Sequence, residues 1–229
     1  MAISYLWTVT GTGLAWTNYS VDLTPLWLRE RDIVLVVTWR NATTDWNPWV
    51  TTTWYTEILD IYSNETYDAN LSVNRKIMWS SPDTSVTCIA NGVSNYANAT
   101  VVYAFRDVDQ TTPIDVTSTS QTYTNWATPT APAITPVTTG SVIVIWGCIA
   151  STTASFTPTA PSWYWNLSFV NADDTGADFS IALATKGWAS WTETPWAWGS
   201  FSTGLTADSG IWFTVVLRPL VSNNYFLLF

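Results

Sequence analysis

The chain has 229 residues, a net charge of −9, seventeen Trp, eight Lys plus Arg and no His. Without His, Ser-His-Asp and Cys-His catalysis and every His-ligated metal are excluded. An acidic balance with no Lys/Arg cluster argues against a nucleic-acid partner and against an anionic membrane surface, and 47% hydrophobic residues exclude a disordered chain.

Taken in chain order, strand signals dominate. Met1 to Trp7 has neither a basic n-region nor a long apolar stretch, so no signal peptide is expected there. No apolar run reaches the length of a membrane helix. Leu23 to Asp32 reads as a turn or a short helical piece, leading into Ile33-Val34-Leu35-Val36-Val37-Thr38-Trp39, a β-branched run suited to a strand buried on both faces. Leu71 to Ile77 alternates apolar and polar residues, as a half-buried antiparallel strand does. Further strands are expected over Thr100–Phe105, Ser141–Trp146, Trp163–Phe169, Phe179–Lys186 and Ile211–Arg218. No window carries a sustained helical period.

The fold expected is all-β: an antiparallel β-sandwich, jelly-roll-like, with little helix. The stretch 116–136 is rich in Ser, Thr, Ala and Pro, and Thr128-Pro129-Thr130-Ala131-Pro132 cannot sit in a central strand because Pro lacks the N–H. We read 1–229 as one domain with a crossover between its sheets near 116–136.

Two cysteines, Cys88 and Cys148, are either two buried thiols or one disulfide between strands. Six N-x-S/T triplets begin at Asn18, Asn41, Asn64, Asn70, Asn98 and Asn166, and they matter only in a glycosylating host.

Several short pieces follow one another in a set order. Arg31-Asp32-Ile33-Val34-Leu35-Val36 reads as "x-G-D-x-hydrophobic run", and Ser72-Val73-Asn74-Arg75-Lys76-Ile77 as "x-v-x-y-K-i". Tyr103-Ala104-Phe105-Arg106-Asp107-Val108-Asp109 followed by Pro113-Ile114-Asp115 is like "a-y-R-G-v-d … P-i-d". Pro132-Ala133-Ile134-Thr135 before the Val142–Ile145 strand, and the terminal Val216-Leu217-Arg218-Pro219, complete the order. In that order the pieces resemble a β-sandwich family found as standalone reading frames in tailed-phage genomes and as modules of phage tail and bacterial surface proteins. Asp107 stands where the pattern usually has Gly, and Trp and Thr are far more frequent here. The resemblance implies a jelly-roll-like sandwich in a virion or surface context. It implies no activity.

Little reactive chemistry is legible. Asp173-Asp174-Thr175-Gly176 contains an aspartic-protease triplet, but no second copy supplies the other carboxylate of a dyad. The same turn, with Asp173, Asp174 and Asp178, has the hard oxygens of a weak calcium candidate, although turn chemistry alone explains it. Glu57, Asp60, Asp109 and Glu193 are the carboxylates from which a glycosidase pair would have to come.

The aromatic groups carry more. Trp46, Trp49 and Trp54 form one cluster and Trp163-Tyr164-Trp165 a second, while Trp188, Trp191, Trp196 and Trp198 form a third in a Gly/Ser/Thr/Pro-rich stretch. They cover the core, make an assembly contact, or stack on sugar rings. The apolar end Tyr225-Phe226-Leu227-Leu228-Phe229 is expected to be buried against a neighbouring subunit.

These readings converge on a non-enzymatic, cofactor-free phage virion protein made in the host cytoplasm and exposed on the particle as head decoration, baseplate or tail-fibre component. Its partners would be copies of itself and other virion proteins. A carbohydrate-binding adhesin that recognises host-surface glycan is the alternative, and a glycan-cleaving enzyme comes after it. Neither nucleic acid nor membrane insertion is expected.

Overall fold

A computed structural model describes residues 2–13, 18–41, 45, 49–63, 69–89, 98–124, 130–151, 157–172, 178–187, 192 and 207–221. The expected all-β sandwich is present. Its strands are β1 (Ser4–Gly13), β2 (Tyr19–Asp22), β3 (Ile33–Asn41), β4 (Thr56–Ser63), β5 (Ala69–Ile77), β6 (Ser85–Cys88) and β7 (Asn98–Arg106) in the first half. The second half gives β8 (Thr119–Thr124), β9 (Val142–Ser151), β10 (Trp165–Ala172), β11 (Asp178–Gly187) and β12 (Ala207–Leu217). The turn expected before β3 holds a 3-10 helix, Thr24–Leu26.

Two antiparallel sheets pack face to face, ordered β1-β7-β3-β5-β4 and β10-β11-β9-β12-β8, and a ribbon β2-β6 lies outside the first. Between the sheets, odd residues of β3 and β7 (Ile33, Leu35, Val37, Val101, Tyr103, Phe105) meet Val144, Trp146, Leu183, Phe213 and Val215. Trp146 stacks on Phe213 with centroids 4.1 Å apart. The even residues Val34, Val36, Val102 and Ala104 point the other way, under Val21, Leu26, Val86 and Cys88 of the ribbon and its flanks. This is why β3 reads as a continuous apolar run: both of its faces are covered. The outer face of the second sheet is covered likewise, with Ile143, Ile145, Ala184 and Trp212 packed under Ala131, Ile134 and Tyr164.

The structure refines three of these readings. A jelly roll built of Greek keys passes repeatedly between its sheets, whereas here each sheet is drawn from one half of the chain. The chain passes from the first sheet to the second between β7 and β8, over 107–118, and residues 130–136 of the Pro-rich stretch lie on the outer face of the second sheet. There Thr214 donates to the Pro132 carbonyl at 2.7 Å. Finally, Cys88 and Cys148 are free buried thiols on opposite faces of the first sheet, so no disulfide joins them.

Candidate functional site

The crossover and the turns beside it are held by charged residues that carried the family resemblance. Asp32 is buried, and its carboxylate accepts Arg106 Nε at 2.8 Å and Nη2 at 2.7 Å. It also accepts the Arg29 backbone N–H at 2.7 Å. Asp115 accepts Arg218 Nε at 3.1 Å and the N–H groups of Val137 and Thr138. Burial alone would raise the Asp115 carboxyl. The hydrogen bonds from Thr138, Val137 and Arg218 outweigh it and hold the carboxyl below the usual range. Lys76 sits between Asp83, at 2.6 Å, and the Thr53 carbonyl. These groups fasten loops to strands, and fully satisfied partners explain their burial.

Around these fasteners the structure gathers exposed indoles. Pairing of Ile77 with Ile33, Ile33 with Phe105, and Thr56 with Arg75 sets the chain around Trp7, Trp27, Trp54 and Trp79 at one end of the first sheet. The Val108–Pro219 bridge and the Tyr103 hydroxyl, which reaches the Leu183 carbonyl and meets that of Asn166, place Trp163 and Trp165 at the same end. The backbone there is unusual. The three most exposed tryptophans of the described residues, Trp27 (83%), Trp54 (70%) and Trp163 (70%), all have left-handed φ, at 51°, 69° and 71°. For a bulky residue that conformation is an outlier costing about 1–3 kcal/mol, held only where the surroundings over-determine it. Trp7 reaches the surface by another device. A bulge between Tyr5 and Trp7 sets Leu6 and Trp7 on the same outer side, while Tyr5 packs inward on Tyr103 and Phe105.

Two surface features follow. Trp54 and Trp79 form an exposed pair with ring centroids 5.4 Å apart, tilted by 42°. A cleft of about 470 Å3 opens between Leu6, Trp7, Pro25, Leu26, Trp27, Arg29 and Arg106. Across Arg29 and Arg106 it adjoins a smaller hollow of about 280 Å3.

Of the residues expected from sequence, Trp49 and Trp54 are exposed. The second aromatic cluster splits, with Trp163 and Trp165 outside and Tyr164 buried. Trp46, Trp188, Trp191, Trp196 and Trp198, together with Asp173, Asp174 and Tyr225, Phe226, Leu227, Leu228 and Phe229, lie outside the described residues; Asp178 begins β11. Trp7, Trp27 and Trp79 were not singled out in the sequence because each stands alone in its segment.

Among the carboxylates, Glu57 and Asp60 share β4. Burial, with the neighbouring Glu57 and Asp45 charges, pushes the Asp60 carboxyl up to about 6. Asp109 instead receives the backbone N–H groups of Thr112 and Thr111, which hold it low, and Glu193 is outside the described residues. Asp109 lies beside Arg218 at the crossover, far from β4 along the sheet order, so of the expected carboxylates in the described residues only Glu57 and Asp60 are brought together.

Comparison with known proteins finds no matching family model, no matching curated protein and no matching solved structure.

Proposed function

We propose that this protein is a non-enzymatic structural component exposed on a phage particle, which docks through the tryptophan-bearing end of its sandwich. The observation that carries the docking role is the left-handed backbone of Trp27, Trp54 and Trp163. A sequence under no pressure to display those indoles would place Gly or Asn at such φ values. Exposed Trp is also the residue type most enriched at binding hot spots.

The virion context rests on the residue pattern described above. Two positions where that pattern carries Gly, Arg31 and Asp107, have φ of 71° and 64° here. The pattern's Gly therefore coincides with a backbone that asks for it.

The test is incorporation. Particles assembled with the wild-type chain are expected to carry it on the outside, accessible to antibody. Particles assembled with a Trp27→Ser, Trp54→Ser, Trp163→Ser chain of unchanged unfolding midpoint are expected to lack it. Equal incorporation of both chains would overturn the docking role, and absence of the wild-type chain from particles would overturn the virion role.

A second reading, sugar binding, is favoured by the Trp54–Trp79 pair, whose two adjacent exposed faces suit a pair of sugar rings. Loss of glycan retention in Trp79→Ala with incorporation intact would select it.

A further inference from the structure

We infer that the cleft between β1 and the Thr24–Leu26 turn is a binding site for a carboxylate-bearing sugar. The inference rests on the reading of this end as a recognition surface and names a ligand class for one part of it.

Size comes first. About 470 Å3 falls within the range of small-molecule sites and holds one or two pyranose rings. The walls come next. Trp7 and Trp27 are both exposed, one carried out by a strand bulge and the other by a left-handed backbone, while Leu6 and Leu26 join the floor to the packed core. Such walls take a ligand with apolar C–H faces and polar edges.

Charge decides the class. The ionisable residues lining the cleft are Arg29 and Arg106, both cations, on a chain of net charge −9. Arg106 is neutralised from behind by Asp32, which is 1% exposed and does not line the cleft. The Arg29 guanidinium makes no ion pair among the described residues, yet its backbone is pinned by the bond from its N–H to Asp32. The cleft therefore presents a guanidinium carried on a pinned backbone and without an ion-pair partner among the described residues, while Glu30, Asp32 and Asp107 line the adjoining hollow and not the cleft. The planar fork of that guanidinium matches a carboxylate bidentately. A neutral sugar would leave that cation unpaired. A small inorganic anion would leave both indoles facing water. An acidic pyranose satisfies both.

The experiment is calorimetry on the full chain with trigalacturonate, its fully methyl-esterified form and a tetraglutamate peptide. Trigalacturonate is expected to bind at least tenfold more tightly than the ester. Arg29→Gln is expected to remove that preference, Trp27→Gly to weaken both sugars at least tenfold, and Val221→Ser, at an exposed position outside the cleft, to change neither. Unfolding midpoints establish that each variant is folded. Equal affinity for acid and ester, an unaltered Arg29→Gln, or no binding of either sugar would overturn the inference. Tighter binding of tetraglutamate than of trigalacturonate would reassign the cleft to an acidic peptide. If the sugar fails while the triple Trp variant is still excluded from particles, the docking role stands and only the ligand falls.

Discussion

Replacing Trp27 by Gly and, separately, by Ala distinguishes a displayed indole from a packed one. Trp27 is 83% exposed, so about one sixth of it is covered. For a side chain that buries up to about 250 Å2, that is about 40 Å2, or about 1 kcal/mol. Both variants lose this contact. Gly also removes the left-handed penalty, about 1–2 kcal/mol at φ 51°, and pays back about 0.5–1 kcal/mol in chain entropy. The Gly variant should therefore lie within about 1 kcal/mol of wild type, and the Ala variant about 0.5–1 kcal/mol below the Gly variant. Urea unfolding at constant m-value reads that difference directly. In the same pair, docking to the particle should fall by a similar factor, about thirtyfold or more if Trp27 is a hot spot. An Ala variant more stable than the Gly variant by about 0.5–1 kcal/mol, the entropy term alone, would show that the left-handed backbone carries no strain. A loss above about 3 kcal/mol in both would show that the indole is structural. Either result would refute the reasoning.

Four further outcomes follow from the core and its charges. Gly147→Ala would put a Cβ 1.3 Å from Trp212 Cζ3, so it should cost about 3 kcal/mol or more by thermal unfolding; combined with Trp212→Leu, the loss should be smaller than the two single losses together. Asp115→Asn should cost about 2–4 kcal/mol at neutral pH. Because the Asp115 pKa is depressed in the fold, its stabilisation is present above the ordinary carboxyl range and lost as pH falls through the folded value, so the variant's urea midpoint should fall less than wild type's on acidification. Asp60 has the opposite sign. Its carboxyl is raised to about 6, so its stabilisation is full below the ordinary aspartate value and lost as pH rises through about 6, and Asp60→Asn should flatten that limb of the stability curve. Burial pushes the Cys88 thiol up to about 11 and raises Cys148 as well, so iodoacetamide should add no mass to the native chain and two adducts after unfolding, with electrophoretic mobility indifferent to reductant.

What was legible in the sequence, and what was not, follows from where each strand sits. β3, β7, β9, β11 and β12 have neighbours on both sides and apolar cover on both faces, so their residues form unbroken runs such as Ile33–Val37 and Ile143–Trp146. β1 and β8 pair on one side only. In β1 the bulge at Leu6–Trp7 breaks the alternation, and β8, Thr119–Thr124, contains no aliphatic residue. β2 and β6 are four residues each, too short for a pattern. Proline reports where a central strand cannot run, not where the chain changes sheet, so composition does not by itself place the step from β7 to β8. The aromatic pairings were not legible for a related reason. Neighbours in the chain suggested Trp46, Trp49 and Trp54, whereas folding sets Trp54 against Trp79 and Trp7 across a cleft from Trp27.

The charged residues that made the sequence look familiar and the tryptophans that give this chain its character belong to one construction. Asp32 binds Arg106 across the strand ends and, through the same Oδ2, holds the backbone N–H of Arg29, two residues beyond Trp27. The Trp27 N–H is itself tied to the Thr24 carbonyl at 3.3 Å, and Leu26 is anchored in the core beneath. A left-handed Trp persists only when bonds on both sides leave the backbone no cheaper path, and these contacts supply that restraint. The ion pair thus acts through the backbone: it fixes the turn, the turn fixes φ, and φ points the indole at solvent. On this account the charges fix one end of the sandwich, and the exposed rings mounted on that end are the surface on which the proposed docking role rests.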